Sequence, residues 1–464
     1  MQPHKFFASA QCFRLDGRIW RCLAILVYLI GHVDAYDLSK PPVISTKWGS
    51  LRGKWSLSVS GNRPIANFLG IPYAQPPVGE LRFKSPQRWN NTWTGMRDAT
   101  TDGQKCIQID IKGTKIVGSE DCLYLNIFTP DTSAKSRWVF THLPVLVFVH
   151  PGGFNIGSSN SKQYAPDYLL QLHVIVVTLS YRLNALGFFS TVNEVSPGNY
   201  GIKDVKLALE WIQENIHSFN GDRSAVTLMG MNAGAAITHF LALSKKTEGL
   251  FYKYILHSGS ALTPWSLHPP RKYRQVCLKL AKLVGCLPKK DDDMNDTTNK
   301  RSEENNGKRC SADVLYSKYT IKDDEEIMSC MRRIDAEKIV KMTQSFDNPF
   351  AVFGPTLEPD SEDAILTMHP LKIIKEGLFR DIPVIMQVVK DEVLFQTAEF
   401  RKNPMVTTEL SENFKEYFHY LAECGNVITN AKVFTSAVQD FYCEKNGTSL
   451  MTCNVTAVSS RMYT

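Results

Sequence analysis

The stretch from Val226 to Leu243, VTLMGMNAGAAITHFLAL, decides the fold. It opens with a short apolar run, Val226–Met229, of the kind that forms a buried strand. The next five residues, GMNAG (230–234), have glycine at both ends, and the residues that follow suit a helix. A strand, a glycine-flanked turn and a helix in this order predict a tight turn with Asn232 exposed at its centre.

This order of elements forms the nucleophile elbow of α/β-hydrolases, in which the central residue is usually a serine. Here that position holds Asn232. The backbone N–H of the residue after the nucleophile, here Ala233, is one donor of the oxyanion hole. A second apolar run, Val145–Val149, leads into the sequence HPGGF (150–154), whose glycines leave the backbone N–H groups unobstructed. We therefore predict Gly152 and Gly153 as the other donors.

The rest of the chain alternates short apolar runs with helical patterns. Residues 202–216 carry one apolar stripe, and the strand-like runs rich in β-branched residues are Leu123–Phe128, Val145–Val149, Val174–Leu179, Val226–Met229 and Val384–Val389. Alternation of this kind indicates a mainly parallel central sheet with helices on both faces. The predicted fold class is α/β, with the α/β-hydrolase arrangement.

The N-terminus indicates export. Four basic residues precede an apolar run from Cys22 to Ile30, and small residues at Val33 and Ala35 suit signal peptidase. The run is about half of the ~20 residues that a spanning helix needs. We interpret residues 1–35 as a signal peptide of a secreted, extracellular protein, and we find no transmembrane segment elsewhere in the sequence.

Composition and cysteine spacing exclude several classes of function. The chain has 464 residues and a net charge of +7, with acids interspersed among the bases, so we expect no nucleic-acid partner. Nine cysteines follow the signal peptide, an odd number, which requires a free thiol or an intermolecular bridge. None has zinc-site spacing, so we expect no metal and no cofactor. The candidate glycosylation sequons are at Asn90, Asn295, Asn446 and Asn454.

One segment interrupts the globular pattern. Residues 288–308, PKKDDDMNDTTNKRSEENNGK, contain a single large apolar residue, Met294. Helical sequence brackets this segment on both sides. We therefore predict a disordered, charged surface insertion rather than a linker between domains, with an interaction loop as the alternative.

Several specific motifs identify the family that the chain resembles. They are FLGIPYA (68–74) with PPVG (76–79) and LRF (81–83), SEDCLYLN (119–126), YRL (181–183) with LGF (186–188), and GNYG (198–201) with Asp204. With these the chain resembles the carboxylesterase/cholinesterase family, the type-B carboxylesterases, over residues 43–464, and arthropod secreted esterases most of all. The resemblance implies one α/β-hydrolase domain over residues 36–464, incomplete at its C-terminus.

The resemblance also implies disulfides and a catalytic triad. Cysteine pairs by resemblance are Cys106 with Cys122 and Cys286 with Cys330. The acid of the triad matches Glu392, followed by Val393 where the family has glycine. The only histidine after it, His419, is far too close in sequence to be the base, so the catalytic histidine is absent from this chain. Lys112 stands where cholinesterases have their choline-binding tryptophan, which argues against a quaternary ammonium substrate.

These departures leave three interpretations of function. The favoured one is a catalytically inactive secreted member that acts by binding or adhesion, with a protein partner or a small apolar ester-like ligand; neuroligin-like and glutactin-like members of the family set this precedent. In the second, deamidation of Asn232 to Asp supplies a carboxylate, although the alanine that follows predicts slow deamidation. In the third, the chain is a carboxylic ester hydrolase or a truncated product of one.

Overall fold

The computed structural model describes residues 38–59, 63–130, 142–289, 319–346, 352–390, 392, 430 and 433–437. The proposed signal peptide, nearly all of the charged insertion, His419 and the sequons at Asn295, Asn446 and Asn454 lie outside these residues. Those expectations therefore stay predictions.

Strands dominate the first part of the chain. In chain order they are β1 (Val43–Thr46), β2 (Gly49–Arg52), β3 (Lys54–Leu57), β4 (Pro64–Pro72), β5 (Met96–Asp98), β6 (Gln108–Ile109), β7 (Ile116–Val117), β8 (Tyr124–Pro130), β9 (Leu143–Val149), β10 (Ile175–Leu179), β11 (Gly221–Met231), β12 (Lys253–His257) and β13 (Val384–Gln387). Eight of them form one central sheet in the order β13-β12-β11-β9-β10-β8-β4-β3. The remaining strands form two small sheets, β1-β2-β5 and β6-β7.

The central sheet is mainly parallel, as the sequence predicts. The five strands from β13 to β10 in the sheet order pair in parallel, while β8, β4 and β3 add antiparallel at the other end. Each of the five strands predicted from apolar runs is present. Strand β11 is longer than its apolar run because it begins at Gly221 and includes the polar residues before Val226.

Helices fill the connections between the parallel strands. They are α1 (Asn184–Phe188), α2 (Tyr200–Asn215), α3 (Ala233–Leu243), α4 (Pro270–Val284), α5 (Ile321–Arg333), α6 (Ala336–Thr343) and α7 (Pro370–Lys375). The apolar stripe predicted for residues 202–216 is the buried side of α2, where Ile202, Val205 and Leu209 are fully buried. Helix α3 is buried along its whole length and packs on β9, β11 and β12. This packing fixes the start of α3 above the carboxyl end of the parallel strands.

Two disulfides join segments as the resemblance implies. Cys106 is bonded to Cys122, and Cys286, just after α4, is bonded to Cys330 in α5. Cys277 in α4 is a buried free thiol, and burial raises its pKa to about 12, so it is not a reactive thiolate at neutral pH. Across the described ranges, no helix is both long enough and apolar enough to cross a membrane.

Candidate functional site

The turn at Asn232 has the geometry that its sequence predicts. Strand β11 ends at Met231, helix α3 begins at Ala233, and Asn232 between them has φ 54° and ψ −119°. Residues with a Cβ rarely adopt such backbone angles, which cost on the order of 1–3 kcal/mol. The Asn232 N–H donates to the carbonyl of His257 at the end of β12, 2.9 Å away, and its carbonyl accepts from Ala236 N–H at 3.1 Å. The surrounding sheet and helix therefore hold the strained residue in place.

Three glycines make room for this turn. A Cβ on Gly230 would collide with the backbone of Gly234, and a Cβ on Gly234 would collide with the carbonyl of Val149 in β9. Gly259 lies against the carbonyl of Asn232 in the same way. The two glycines of the GMNAG motif are thus needed for close backbone approach, as the sequence predicts.

The glycine turn after β9 points its backbone N–H groups at Asn232. The Gly153 N–H lies 3.1 Å and the Gly152 N–H 3.4 Å from Oδ1 of the Asn232 side chain. Gly152 has φ 132°, and a Cβ there would collide with the carbonyl of Ile156. The site therefore brings together Gly152, Gly153, Asn232 and Ala233, the four residues that the sequence places there.

The structure adds one fact that sequence reasoning missed: the asparagine side chain accepts hydrogen bonds from two of the predicted oxyanion donors. An amide reaches one atom further than a serine hydroxyl and ends in a carbonyl oxygen, the same group that such donors bind in a substrate. This length difference is the signal in the sequence that could have revealed the contact. In the described conformation, the two donors are occupied by the protein itself.

An asparagine at this position also lacks the chemistry of a nucleophile. Serine attacks because a base removes its hydroxyl proton, whereas the amide nitrogen of asparagine has a delocalised lone pair. Removing the nucleophile of a triad leaves only the residual rate that the oxyanion hole and binding provide. The backbone donors suit holding a carbonyl oxygen, and the amide of Asn232 is not itself an attacking group.

Glu392, the predicted acid, makes a local contact in this structure. Its Oε1 accepts a hydrogen bond of 2.7 Å from the N–H of Val389, three residues earlier. Gln387 at the end of β13 pairs in register with His257 of β12, whose carbonyl accepts from Asn232 N–H. Glu392 comes five residues after Gln387 in the sequence, and its role as the acid stays a prediction.

Two histidines border the elbow. His150, before the glycine turn, is buried and stacks on Tyr181 at 4.4 Å between ring centroids. Its Nδ1 lies 2.8 Å from the carbonyl of Pro151, and its Nε2 is buried without a hydrogen-bond partner. Burial lowers the pKa of His150 to about 4, so the ring is neutral at physiological pH. His257 contributes its backbone carbonyl to Asn232, and partial burial lowers the pKa of its ring.

Within the described part of the chain, no cluster of three or more His, Cys, Asp or Glu side chains could hold a metal ion.

The mainly parallel sheet, the elbow between β11 and α3 and the glycine turn after β9 define an α/β-hydrolase fold. The model of the carboxylesterase family matches residues 40–461. The chain belongs to the carboxylesterase family.

Insect esterases are among its relatives. The chain is 32% identical over 448 residues to juvenile hormone esterase of Tribolium castaneum, covering 94% of this chain and 67% of the relative. It is 34% identical over 422 residues to esterase FE4 of Myzus persicae, covering 89% of this chain and 67% of that protein. The chain thus corresponds to about two thirds of the length of these relatives.

A solved structure shares the architecture. The crystal structure of juvenile hormone esterase from Manduca sexta with OTFP covalently attached matches with a TM-score of 0.72 and 29% identity. The match covers 91% of this chain and 73% of that one.

Proposed function

We propose that this chain is a carboxylesterase-family protein that does not hydrolyse esters and acts by binding. One observation carries the proposal: the side-chain oxygen of Asn232 accepts hydrogen bonds from Gly152 and Gly153. In an ester hydrolase, the residue at this position attacks the substrate carbonyl. Here Oδ1 of Asn232 instead lies where the oxygen of that carbonyl would bind. The elbow has therefore kept its backbone shape while its side chain has lost both the nucleophile and the free donors.

The closed donor pair favours a protein partner over an ester-like ligand. A ligand carbonyl that entered the site would have to displace the Asn232 amide and replace its hydrogen bonds. Each such bond contributes about 1 kcal/mol net, so the ligand would gain little from binding there. A partner that contacts the outer surface meets no such competition.

Hydrolysis of a p-nitrophenyl ester by the purified secreted protein tests the proposal. We expect the wild type to match both buffer and the variant Asn232→Ala, which removes the amide but keeps the elbow residue small. Saturable hydrolysis by the wild type that is lost in Asn232→Ala or in Gly152→Pro would refute the proposal.

Carboxylic ester hydrolysis is the second candidate. It is favoured by the relatives, whose names describe esterases. The same assay decides between the two, because an ester hydrolase requires turnover above that of buffer.

We also propose that the chain works outside the cell. Disulfides such as Cys106–Cys122 and Cys286–Cys330 are typical of proteins that fold in an oxidising compartment. N-terminal sequencing of protein recovered from the culture medium should begin at Tyr36, after removal of residues 1–35. Protein retained in the cell with Met1 intact would contradict this.

A further inference from the structure

The backbone of Asn232 is arranged for a covalent change in its own side chain. Backbone N and Cβ are offset by about 120° around the Cα–C bond of an L-residue, because the carbon is tetrahedral. At ψ −119° the Ala233 nitrogen therefore lies nearly eclipsed with Cβ of Asn232. A five-membered ring that joins this nitrogen to Cγ requires that arrangement. Helices and strands, with ψ near −42° and +135°, do not provide it.

The glycine turn supplies the second requirement. Oδ1 of Asn232 accepts from Gly153 N at 3.1 Å and Gly152 N at 3.4 Å. Negative charge develops on this oxygen when a nucleophile adds to Cγ. Preorganised backbone donors stabilise such an oxyanion, and losing a single donor of this kind typically costs about 10²–10³ in rate.

The third requirement is a backbone nitrogen that can lose its proton without breaking a hydrogen bond of the fold. Ala233 is the first residue of α3, and the first four N–H groups of a helix have no intrahelical partner. Removal of its proton therefore breaks no hydrogen bond within the helix. Asn232 is half-buried, which leaves it open to water on one side.

We propose that Asn232 is a site of spontaneous deamidation, promoted by the folded elbow. The Ala233 nitrogen loses its proton to hydroxide or buffer base and bonds to Cγ, and the charge moves to Oδ1. Collapse of this intermediate breaks the Cγ–Nδ2 bond, and ammonia leaves with a proton from water. Water then opens the succinimide, giving aspartate when N–Cγ breaks and isoaspartate when the main-chain N–C bond breaks.

Sequence alone predicts faster deamidation at Asn220 than at Asn232, the opposite of what the folded geometry predicts. Asn220 is followed by Gly221, which has no Cβ to hinder ring closure, whereas Asn232 is followed by alanine. In the fold, however, Asn220 has ψ 27°, which places the Gly221 nitrogen nearly opposite Cβ. Both asparagines are half-buried, so Asn220 is an internal control of similar exposure.

Peptide mapping by mass spectrometry after incubation at mildly alkaline pH tests the proposal. Each deamidation adds one dalton, and synthetic peptides with Asp or isoaspartate at position 232 identify the products. In the folded protein, we expect Asn232 to deamidate at least about tenfold faster than Asn220, and isoaspartate to accompany aspartate. In protein unfolded with guanidinium, the order should reverse.

Two results would overturn the proposal. One is an intact Asn232 in folded protein that deamidates at Asn220; the other is an equal rate at Asn232 in folded and unfolded protein. The variant Asn232→Gln provides a further check, because closure onto its longer side chain requires a six-membered ring. It should retain its amide under the conditions that deamidate the wild type, and amide loss at the same rate would also contradict the mechanism.

Discussion

Asn232 combines the backbone geometry of a nucleophile elbow with a side chain that has no hydroxyl. Asparagine tolerates unusual backbone angles better than most residues, so β11 and α3 are still joined as in a hydrolase. The side-chain oxygen Oδ1 accepts hydrogen bonds from Gly152 N–H and Gly153 N–H, and the shorter side chain of serine has no carbonyl oxygen to make them. Under the proposed function, these hydrogen bonds hold the site in a state that a substrate carbonyl cannot enter without displacing the amide.

A pair of variants separates the backbone strain at position 232 from the side-chain contacts. Asn232→Gly and Asn232→Ala both lose the amide, but only alanine keeps a Cβ at φ 54° and ψ −119°. We expect the glycine variant to have the larger free energy of unfolding, by about 1 kcal/mol, after the entropy cost of glycine is subtracted from the strain relieved. Urea denaturation followed by circular dichroism measures the difference, and an alanine variant as stable as the glycine variant would contradict it.

The position of the elbow could be predicted from the sequence. The hydrogen bonds from the glycine turn to the Asn232 side chain could not. Strand propensity at 226–229 and the paired glycines of GMNAG are local signals, and they locate the turn. The hydrogen bonds from Gly152 and Gly153 join residues about 80 positions apart in sequence. Their geometry depends on how β9 and β11 pair, which local patterns do not specify.

At the scale of elements, the elbow depends on contact between the start of α3 and the end of β9. Gly234 is the residue at this contact, where its α-carbon faces the carbonyl of Val149. The helix cannot move away, because it also packs on β11 and β12. The lack of a side chain at Gly234 therefore allows α3 and β9 to approach this closely.

Gly234→Ala tests this contact. The added methyl has to displace backbone rather than a flexible side chain, so we expect a loss of about 3 kcal/mol in the free energy of unfolding. Gly249→Ala is the matched control, because no atom lies within 4 Å of its added Cβ and only its φ of 78° is unfavourable. That control should cost about 1 kcal/mol. Thermal denaturation of both variants gives the comparison, and equal midpoints would show that the close approach does not limit α3.

Strands with atypical sequences were the elements that periodicity did not predict. Strand β4 begins at Pro64 and ends at Pro72, and proline is disfavoured in sheets. It is nevertheless paired with β8 over most of its length and with β3 over its first four residues, 64–67. Tertiary packing of its buried residues outweighs local propensity there. The parallel strands β9, β10, β11 and β13 contain continuous apolar runs and were predicted, whereas β12 was not. Strand β13 is exposed along its length, although its apolar run is typical of a buried strand.

At the scale of the whole molecule, buried neutral histidines make stability depend on pH. Burial lowers the pKa values of His150, His239 and His268 to about 4 from an ordinary value of 6.5. His239 accepts a hydrogen bond at Nδ1 from Ala261 N–H, which requires that nitrogen to be unprotonated. Between about pH 6.5 and pH 4, the unfolded chain binds protons at these sites and the folded chain does not.

The free energy of unfolding should therefore fall as the pH is lowered from about 6.5 to about 4. Each histidine contributes up to about 3 kcal/mol to this fall in the free energy of unfolding. Below about pH 4 both states bind the proton, so the histidines cause no further fall. Calorimetry across this range measures the effect. His239→Gln keeps a hydrogen-bond acceptor without a titrating ring, so its stability should vary less with pH than that of the wild type. An identical pH dependence in the two proteins would contradict the assignment.

The contact between the Asn232 amide and the glycine turn can be observed in an atomic-resolution crystal structure of the unliganded protein. We expect electron density for the side chain of Asn232 with Oδ1 within hydrogen-bond distance of Gly153 N, near 3.1 Å. We also expect no water between these two atoms. A side chain turned away from the turn, with water or a ligand oxygen bound to Gly152 and Gly153, would contradict this expectation.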